Sequence, residues 1–242
     1  INETDKFSIF LKSKFDKMCK SNYGAKIFFE HKKDLSFLDS IKINLKACLS
    51  ILSIKSAKNI FVLSEYSKLE KEYLFNKKAI VCQGAIKKSS LANMIPEIKD
   101  NDLIICVSRL EHDKRVDILL KSFKELLHVY PNKKLKICGT GSSENYLKEM
   151  SRSLGISGSV TFTGFISDIE MKRLNRKAYL FVSLDWADYK ITLFEALVNS
   201  QRVLVSSETS EIEALEKKGY MLRVTPDIKS SYNGMIKIFE NE

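Results

Sequence analysis

Short apolar runs alternate with segments of helical periodicity along most of this chain of 242 residues, and few folds accommodate that order. Between two of the runs, apolar residues from Val116 to Leu127 recur at i, i+3, i+4, i+7, i+10 and i+11, which predicts an amphipathic helix. Strands that alternate with helices imply right-handed crossovers and parallel sheets covered on both faces, so the sequence predicts an α/β fold. The runs predicted as strands are Lys26–Phe29, Asn59–Leu63, Ala79–Gln83, Leu103–Ser108, Leu135–Gly139, Val160–Thr163, Tyr179–Ser183 and Val203–Ser206.

Neither period is sustained between Ser89 and Asp102, a stretch that contains Pro96 and a polar run, so we predict a linker there. Before it lie about three strands and helices at Ser36–Lys55 and Ser67–Phe75, which indicate part of a Rossmann-like domain. After it lies a fuller doubly wound domain of five or six strands, in which ligands are expected at the carboxyl ends of the strands. The predicted segments are a partial domain at residues 1–95, a linker at 96–102, a complete Rossmann-like domain at 103–225 and a C-terminal helix at 226–242.

The net charge of +10 is concentrated in the first hundred residues, which hold 19 basic and 11 acidic side chains, against 21 and 19 in the remainder. All 19 basic residues are lysines. A lysine-rich face could contact an anionic membrane, and the alternative is that these lysines solvate exposed helices. The absence of arginine, which favours bidentate phosphate and base contacts, argues against a nucleic-acid partner.

The five widely spaced cysteines form neither a disulfide framework nor a zinc-binding spacing, which indicates a reducing compartment. The most apolar long stretch, Leu35–Ile54, contains too many polar residues for a lone membrane span. No segment near the start resembles a signal peptide, and the first residue is Ile1. We therefore expect a cytoplasmic protein, with peripheral membrane contact as a further expectation, and a chain that is part of a longer one.

Two loops after predicted strands carry residues suited to phosphate chemistry. Arg109 and Lys114 follow a buried strand and could clamp a diphosphate, although a solvated loop would have the same composition. Gly139 and Gly141 follow the next strand, but a lone G-x-G is weak support for a nucleotide and equally fits a tight turn. No P-loop motif and no complete dinucleotide fingerprint occur in the sequence.

Glu195 is the only charged residue in an otherwise apolar helical start. A carboxylate in such surroundings needs a partner, so Glu195 could accept hydrogen bonds from ligand hydroxyls such as those of a ribose. The alternative is a solvent-facing acid in the first turn of a helix, where the helix dipole favours negative charge.

Taken together, several of these motifs resemble, in order and spacing, the donor-binding domain of retaining GT-B glycosyltransferases of family 4, the glycosyl transferases group 1. The resemblance covers roughly residues 100–225. Three earlier runs resemble the last part of the family's acceptor-side domain, whose first strands and glycine-rich loop are absent here. The donor-side matches are Ser108-Arg109-Leu110, Lys114, Lys136–Gly141, Val160–Ile166 and Phe194–Leu197, and the earlier ones are Lys26–His31, Asn59–Glu65 and Val81–Ala85.

The resemblance implies transfer of a hexose from a nucleotide diphosphate sugar to a glycan or lipid-linked acceptor, with retained anomeric configuration. It implies that Arg109 and Lys114 neutralise the diphosphate without a metal, so neither a metal nor a cofactor is expected. Glu195 would meet the ribose, and His31 would face the donor sugar. The remaining donor contacts implied are Gly139, Gly141, Phe165, Ile166, Asp188, Lys190, Ile191 and Thr192.

The chain also departs from the family pattern in this region. Ala187 stands where the family has the first of two glutamates, and Lys190 stands where it has a glycine that lets a helix approach phosphate. Asp188 or Asp185 could substitute by a shift of register, and Lys190 could itself contact phosphate. The alternative is a catalytically degenerate relative that acts as a binding or scaffold partner. Thr209-Ser210-Glu211 likewise replaces a glycine-containing turn.

Overall fold

Two parallel sheets carry the fold in the part of the chain that the computed structural model describes. That part comprises residues 52–64, 67–68, 71–72, 76–82, 98–185, 190–199, 201–209, 216, 219 and 221–241. The chain divides into two compact units, Ile1–Gln83 and Gly84–Glu242. The second unit therefore begins before the linker predicted at 96–102.

Among the described residues of the first unit, β1 (Phe61–Val62) and β2 (Ile80–Val81) form a two-stranded parallel sheet, with Phe61 opposite Ile80. Both strands lie inside runs predicted as strands. Residues 52–56, 67–68 and 71–72 are helical, in agreement with the ends of the two predicted helices that the structure describes. The predicted strand Lys26–Phe29 lies outside the described residues.

The described part of the second unit contains six parallel strands in the order β5-β4-β3-β6-β7-β8. This count agrees with the five or six strands predicted for a doubly wound domain. The strands are β3 (Asp100–Val107), β4 (Lys134–Cys138), β5 (Val160–Gly164), β6 (Ala178–Ser183), β7 (Arg202–Ser206) and β8 (Leu222–Val224). The helices are α1 (Val116–Val129), α2 (Glu144–Ser153), α3 (Asp168–Lys177), α4 (Ile191–Val198) and α5 (Ile228–Glu240).

Helices cover both faces of this sheet, which explains why its central strands are continuously apolar. Successive residues of β3 enter opposite clusters, with Ile104 on one face and Ile105 on the other. The first cluster includes Phe123 of α1 and Met235 of α5, whereas the second includes Leu193 of α4. The sheet is therefore the middle layer of three.

The polar run predicted as the end of the linker instead begins β3, at Asp100. Lysines neutralise its carboxylates, since Lys133 lies 3.2 Å from Asp102 and Lys177 lies 3.9 Å from Asp100. This pairing allows an acidic sequence to continue a strand. The sequence also did not predict β8, because three residues are too few to establish a period.

Candidate functional site

The strand order places a crevice at the carboxyl ends of β3 and β6. These neighbouring strands are far apart in sequence, and the chain leaves them toward opposite sides of the sheet. Such a topological switch point is where open α/β sheets bind ligands. The loops after β3, β4, β6 and β7 all begin at this edge because the strands are parallel.

The loop after β3 is held against the loop after β4 by backbone hydrogen bonds. Leu110 N–H donates to the Thr140 carbonyl at 2.9 Å, and Ser143 N–H donates to the Leu110 carbonyl at 2.9 Å. A Cβ atom on Gly139 would lie 2.0 Å from the Ser108 carbonyl oxygen, and one on Gly141 would lie 2.3 Å from that of Leu110. The two glycines thus permit the close approach of these loops, while their contact with a donor remains a prediction.

A side-chain contact that the sequence did not predict reinforces this pairing. The carboxylate of Glu111 accepts hydrogen bonds from the backbone N–H of Ser142 at 3.2 Å and from its hydroxyl at 2.5 Å. These bonds lower the pKa of Glu111 below its ordinary value. The loop that carries Arg109 and Lys114 is therefore fixed at both its backbone and its side chains.

The two cations predicted to clamp a diphosphate differ in their surroundings. Arg109 is exposed to solvent, whereas Lys114 is largely buried, with 18% of its side chain exposed. The Lys114 ammonium lies 3.1 Å from the carboxylate of Asp113 and 3.2 Å from that of Asp185. Burial opposes the charge on Lys114, but Asp185 and Asp113 outweigh it and raise its pKa.

Asp185 lies at the centre of a buried polar cluster. It accepts hydrogen bonds from the Ser183 hydroxyl at 2.7 Å, from the Lys190 ammonium and from Lys114. Burial would raise the pKa of Asp185, but Lys190, Ser183 and Lys114 outweigh burial, so the pKa is lowered. Burial lowers the pKa of Lys190, with Asp185 acting in the opposite direction. Asp185 and Lys190 thus form an ion pair within the loop after β6, and Lys114 joins that loop to the loop after β3.

Arg115 is a buried cation whose role the sequence did not reveal. Its guanidinium donates to the Leu184 carbonyl at 3.0 Å and lies 2.8 Å from the carboxylate of Glu208. It thereby joins the loops after β6 and β7. The sequence offers no signal that distinguishes Arg115 from its charged neighbours, because its partners are distant along the chain.

Glu195 lies on the half-buried side of α4, near the start of α3. Burial raises its pKa, the carboxylate of Asp168 raises it further, and Lys172 acts in the opposite direction. Two residues between β5 and α3 carry the predicted base contact. Phe165 is 87% exposed and Ile166 is half-buried. The structure thus brings Glu195 close to the segment that follows Phe165 and Ile166.

The remaining predicted site residues fall into two groups. Ile191 is exposed and Thr192 is half-buried in the first turn of α4. His31, Ala187 and Asp188 lie outside the described residues. Among the described residues, no group of three or more His, Cys, Asp and Glu side chains could hold a metal ion. The expectation that no metal takes part therefore stays a prediction.

No helix in the described part of the chain has both the length and the apolar character needed to cross a membrane.

Comparison with known proteins shows a match to the family model described as glycosyl transferases group 1, over residues 87–242. Alpha-monoglucosyldiacylglycerol synthase of Streptococcus pneumoniae is 28% identical over 123 residues, which cover 49% of this chain and 28% of the relative. The chain spans about a third of the length of the curated relatives it matches.

Solved structures share the fold at low sequence identity. WaaG, a glycosyltransferase involved in lipopolysaccharide biosynthesis, aligns with a TM-score of 0.73 and 15% identity, over 90% of this chain and 63% of WaaG. HepE from Anabaena, in complex with UDP and glucose, aligns with a TM-score of 0.68 and 17% identity, over 83% of this chain and 58% of HepE. These neighbours confirm the α/β, GT-B-like fold class expected from the sequence.

Proposed function

Because the chain belongs to the glycosyl transferases group 1 family, we propose that it is a glycosyltransferase that uses a nucleotide diphosphate sugar as donor. The proposed reaction moves a hexose to a glycan or lipid-linked acceptor with retention of anomeric configuration. One observation carries the proposal: Lys114 and Arg109 stand at the carboxyl end of β3, in the crevice where the sheet topology expects a ligand.

In the proposed reaction, bond cleavage leaves negative charge on the departing nucleoside diphosphate. Arg109 would contact the phosphates as a bidentate fork and Lys114 as a point charge, and both stabilise the leaving group without a metal. Gly139 and Gly141 allow the loop after β4 to lie directly against the loop that carries these side chains. Ile191 and Thr192 would present the first turn of α4 to the diphosphate, beside Lys190 and Asp188.

The nucleoside half of the donor would lie over the other end of the crevice. Glu195 would accept hydrogen bonds from the ribose hydroxyls, and the backbone at Phe165 and Ile166 would meet the base. His31 would face the sugar. The UDP in the HepE complex supports UDP as the first nucleotide to test. The diacylglycerol in the name of the pneumococcal relative supports a lipid-linked acceptor.

Isothermal titration of the full-length protein with UDP, GDP and ADP tests the donor site. We expect micromolar to millimolar binding of one nucleotide and at least a tenfold loss in Lys114→Ala, since a charged hydrogen bond contributes about 1.5–3 kcal/mol. Arg152→Ala is the matched control, because Arg152 is an exposed cation on α2 that pairs with Glu149. Absence of binding by all three nucleotides would contradict the proposal.

A second candidate function is that of a binding or scaffold partner that has lost turnover. The observation in its favour is Lys190, which fills the start of α4 with a buried ion pair where the family resemblance expects a glycine. Transfer of radiolabelled hexose from the nucleotide sugar to lipid and glycan acceptors separates the two functions. Nucleotide binding without transfer would favour the scaffold, whereas transfer that Lys114→Ala abolishes would favour the enzyme.

The proposed place of action is the cytoplasmic side of a membrane. The first hundred residues carry an excess of eight lysine charges, and each lysine suitably placed near an anionic surface contributes about 1 kcal/mol. Sedimentation with phosphatidylglycerol and phosphatidylcholine vesicles tests this contact. We expect binding to the anionic vesicles alone and release at high salt; equal partition to both would contradict it.

A further inference from the structure

The two carboxylate oxygens of Asp185 have separate partners. Oδ1 meets the Lys190 ammonium and the Ser183 hydroxyl, while Oδ2 meets the Lys114 ammonium at 3.2 Å. Ser183 is the last residue of β6 and Lys190 immediately precedes α4, so both groups on Oδ1 belong to ordered elements. Lys190 also donates to the Ser183 hydroxyl at 2.6 Å. These contacts fix the direction of Oδ2.

Lys114 is the cluster member that retains access to the crevice. Its side chain is 18% exposed, compared with 8% for both Asp185 and Lys190. Its other carboxylate partner, Asp113, is about half exposed and adjacent in the chain, so solvent screens that pair. A lysine has a flexible four-carbon stem, and fixing it in advance reduces the entropy lost when it binds an anion.

We propose that Asp185, anchored by Lys190 and Ser183, is a positioning residue that holds the Lys114 ammonium toward the donor diphosphate. This inference rests on the proposed donor site. Protein kinases use the same physical device, in which a carboxylate orients a phosphate-binding lysine. Lys190 has a defined part in it, because its charge balances that of Asp185 and leaves the charge of Lys114 for the ligand.

The same contacts also fit the opposite effect of Asp185 on diphosphate binding. Asp185 would then compete with the diphosphate for Lys114, and its removal would strengthen binding. Replacing Asp185 alone cannot decide between the two, because it leaves Lys190 buried without a carboxylate. Asp185→Asn combined with Lys190→Met removes both charges of the buried pair and keeps the net charge constant.

The experiment compares UDP affinity by calorimetry in the full-length wild type and in this double variant, each with and without Lys114→Ala. We expect the double variant to bind UDP about tenfold more weakly, which corresponds to one charged hydrogen bond. In that background, Lys114→Ala should cause little further loss; a full further loss would mean that the weaker binding came from removing Lys190 itself and would also overturn the proposal. The control is Glu149→Gln with Arg152→Met, which removes an exposed ion pair on α2 and should leave UDP affinity unchanged. Unchanged or tighter binding by the double variant would overturn the proposal.

A second measurement does not depend on the nucleotide. NMR titration of ¹³C-methylated lysines reports the pKa of Lys114, which Asp185 and Asp113 raise against the effect of burial. That pKa should fall in the double variant and stay raised in the α2 control; an unchanged value would contradict the positioning role.

If wild type binds no nucleotide, the donor site fails while this titration still decides the Asp185–Lys114 contact. If circular dichroism shows that the double variant is unfolded, Ser183→Ala replaces it and should give a smaller loss in the same direction.

Discussion

Arg115 illustrates how a single side chain can bind two loops together at a conformational cost. Its backbone has φ +54°, the left-handed region that a residue with a Cβ enters at a cost of roughly 1–2 kcal/mol. The guanidinium contacts to Leu184 and Glu208 must exceed that cost in the folded state. The site therefore depends on a residue that need not touch the ligand.

We expect Arg115→Met to lower the free energy of unfolding by about 3–5 kcal/mol, because it leaves the carboxylate of Glu208 without its buried cation. Urea denaturation measures this change. Adding Glu208→Gln should recover part of the loss. Arg152→Met, which removes an exposed ion pair, should change the free energy by less than about 1 kcal/mol; equal losses in both single variants would contradict the argument.

The pH dependence of stability should report Asp185. Its pKa in the folded state lies below the ordinary 3.8, so its stabilising contribution is complete above that value and is lost as the pH falls toward the folded-state pKa. The unfolding free energy of wild type should therefore fall more steeply below about pH 4 than that of Asp185→Asn/Lys190→Met. Denaturation at a series of pH values checks this, and parallel curves would contradict it.

At this scale the sequence predicted the types of residue but not their partners. It singled out Arg109, Lys114 and Lys190 as separate donor contacts and named Asp185 as a substitute acid. It could not predict that one carboxylate joins two of these lysines, because Lys114 and Asp185 meet only after β3 and β6 pair. Arg115 was missed for the same reason.

Between elements, the loops after β3 and β4 meet backbone to backbone at Gly139. Such a contact needs a glycine for two reasons, an unusual φ and the absence of a Cβ atom, and glycine substitutions test both. Gly158 has open space and an ordinary φ, Gly164 has open space but φ +67°, and Gly139 has both φ +135° and the Ser108 carbonyl in contact. The three positions therefore add the two requirements one at a time, first backbone conformation and then steric contact.

We expect Gly158→Ala to change the unfolding free energy by about 0.5 kcal/mol or less. Gly164→Ala should lower it by roughly 1–2 kcal/mol through backbone conformation alone. Gly139→Ala should have the largest effect and should also weaken nucleotide binding, because it displaces the loop that carries Arg109. Thermal denaturation and calorimetry measure the series, and a Gly139→Ala variant as stable as Gly164→Ala would contradict the steric argument.

Elements with continuous buried apolar runs were predicted to within a few residues. The runs at Tyr179–Ser183 and Val203–Ser206 correspond to β6 and β7, since a parallel strand covered on both faces is almost wholly apolar. The start of β3 was not predicted because Asp100 and Asp102 are acidic. Lysines supplied from distant segments make that start possible, and the sequence pattern contains no sign of such pairing.

Across the second unit as a whole, α5 closes one face of the sheet. Phe239 lies with its ring 5.6 Å from that of Tyr179 and 5.7 Å from that of Tyr130, and the Lys133 ammonium lies 4.0 Å above it. One side chain of the last helix thus contacts groups beside β4 and β6. The sequence predicted a C-terminal helix but not this contact.

We expect Phe239→Ala to lower the free energy of unfolding by about 3–5 kcal/mol, because it removes a buried ring and leaves a cavity. Phe239→Leu should lose less, since it keeps most of the volume. Val129→Ala, at a half-exposed position of α1, is the control and should change little. Equilibrium urea denaturation is the measurement, and a loss for Phe239→Ala no larger than that for the control would contradict it.

The α/β class and the parallel arrangement were predictable from sequence because alternating strands and helices admit few connections. The order of the strands was not contained in the pattern, and the order decides which loops meet. Predicted roles for His31 and Asp188 concern residues outside the described part of the chain, so they remain predictions.

The placement of β3 next to β6 also determines when the crevice can form during synthesis. The ribosome makes the loop that carries Lys114 and Arg115 about seventy residues before Asp185 and about ninety before Glu208. Until then these cations have neither carboxylate and stay in water, because a charge is not buried alone. During synthesis the crevice can therefore be completed only after the ribosome has made β7 and Glu208.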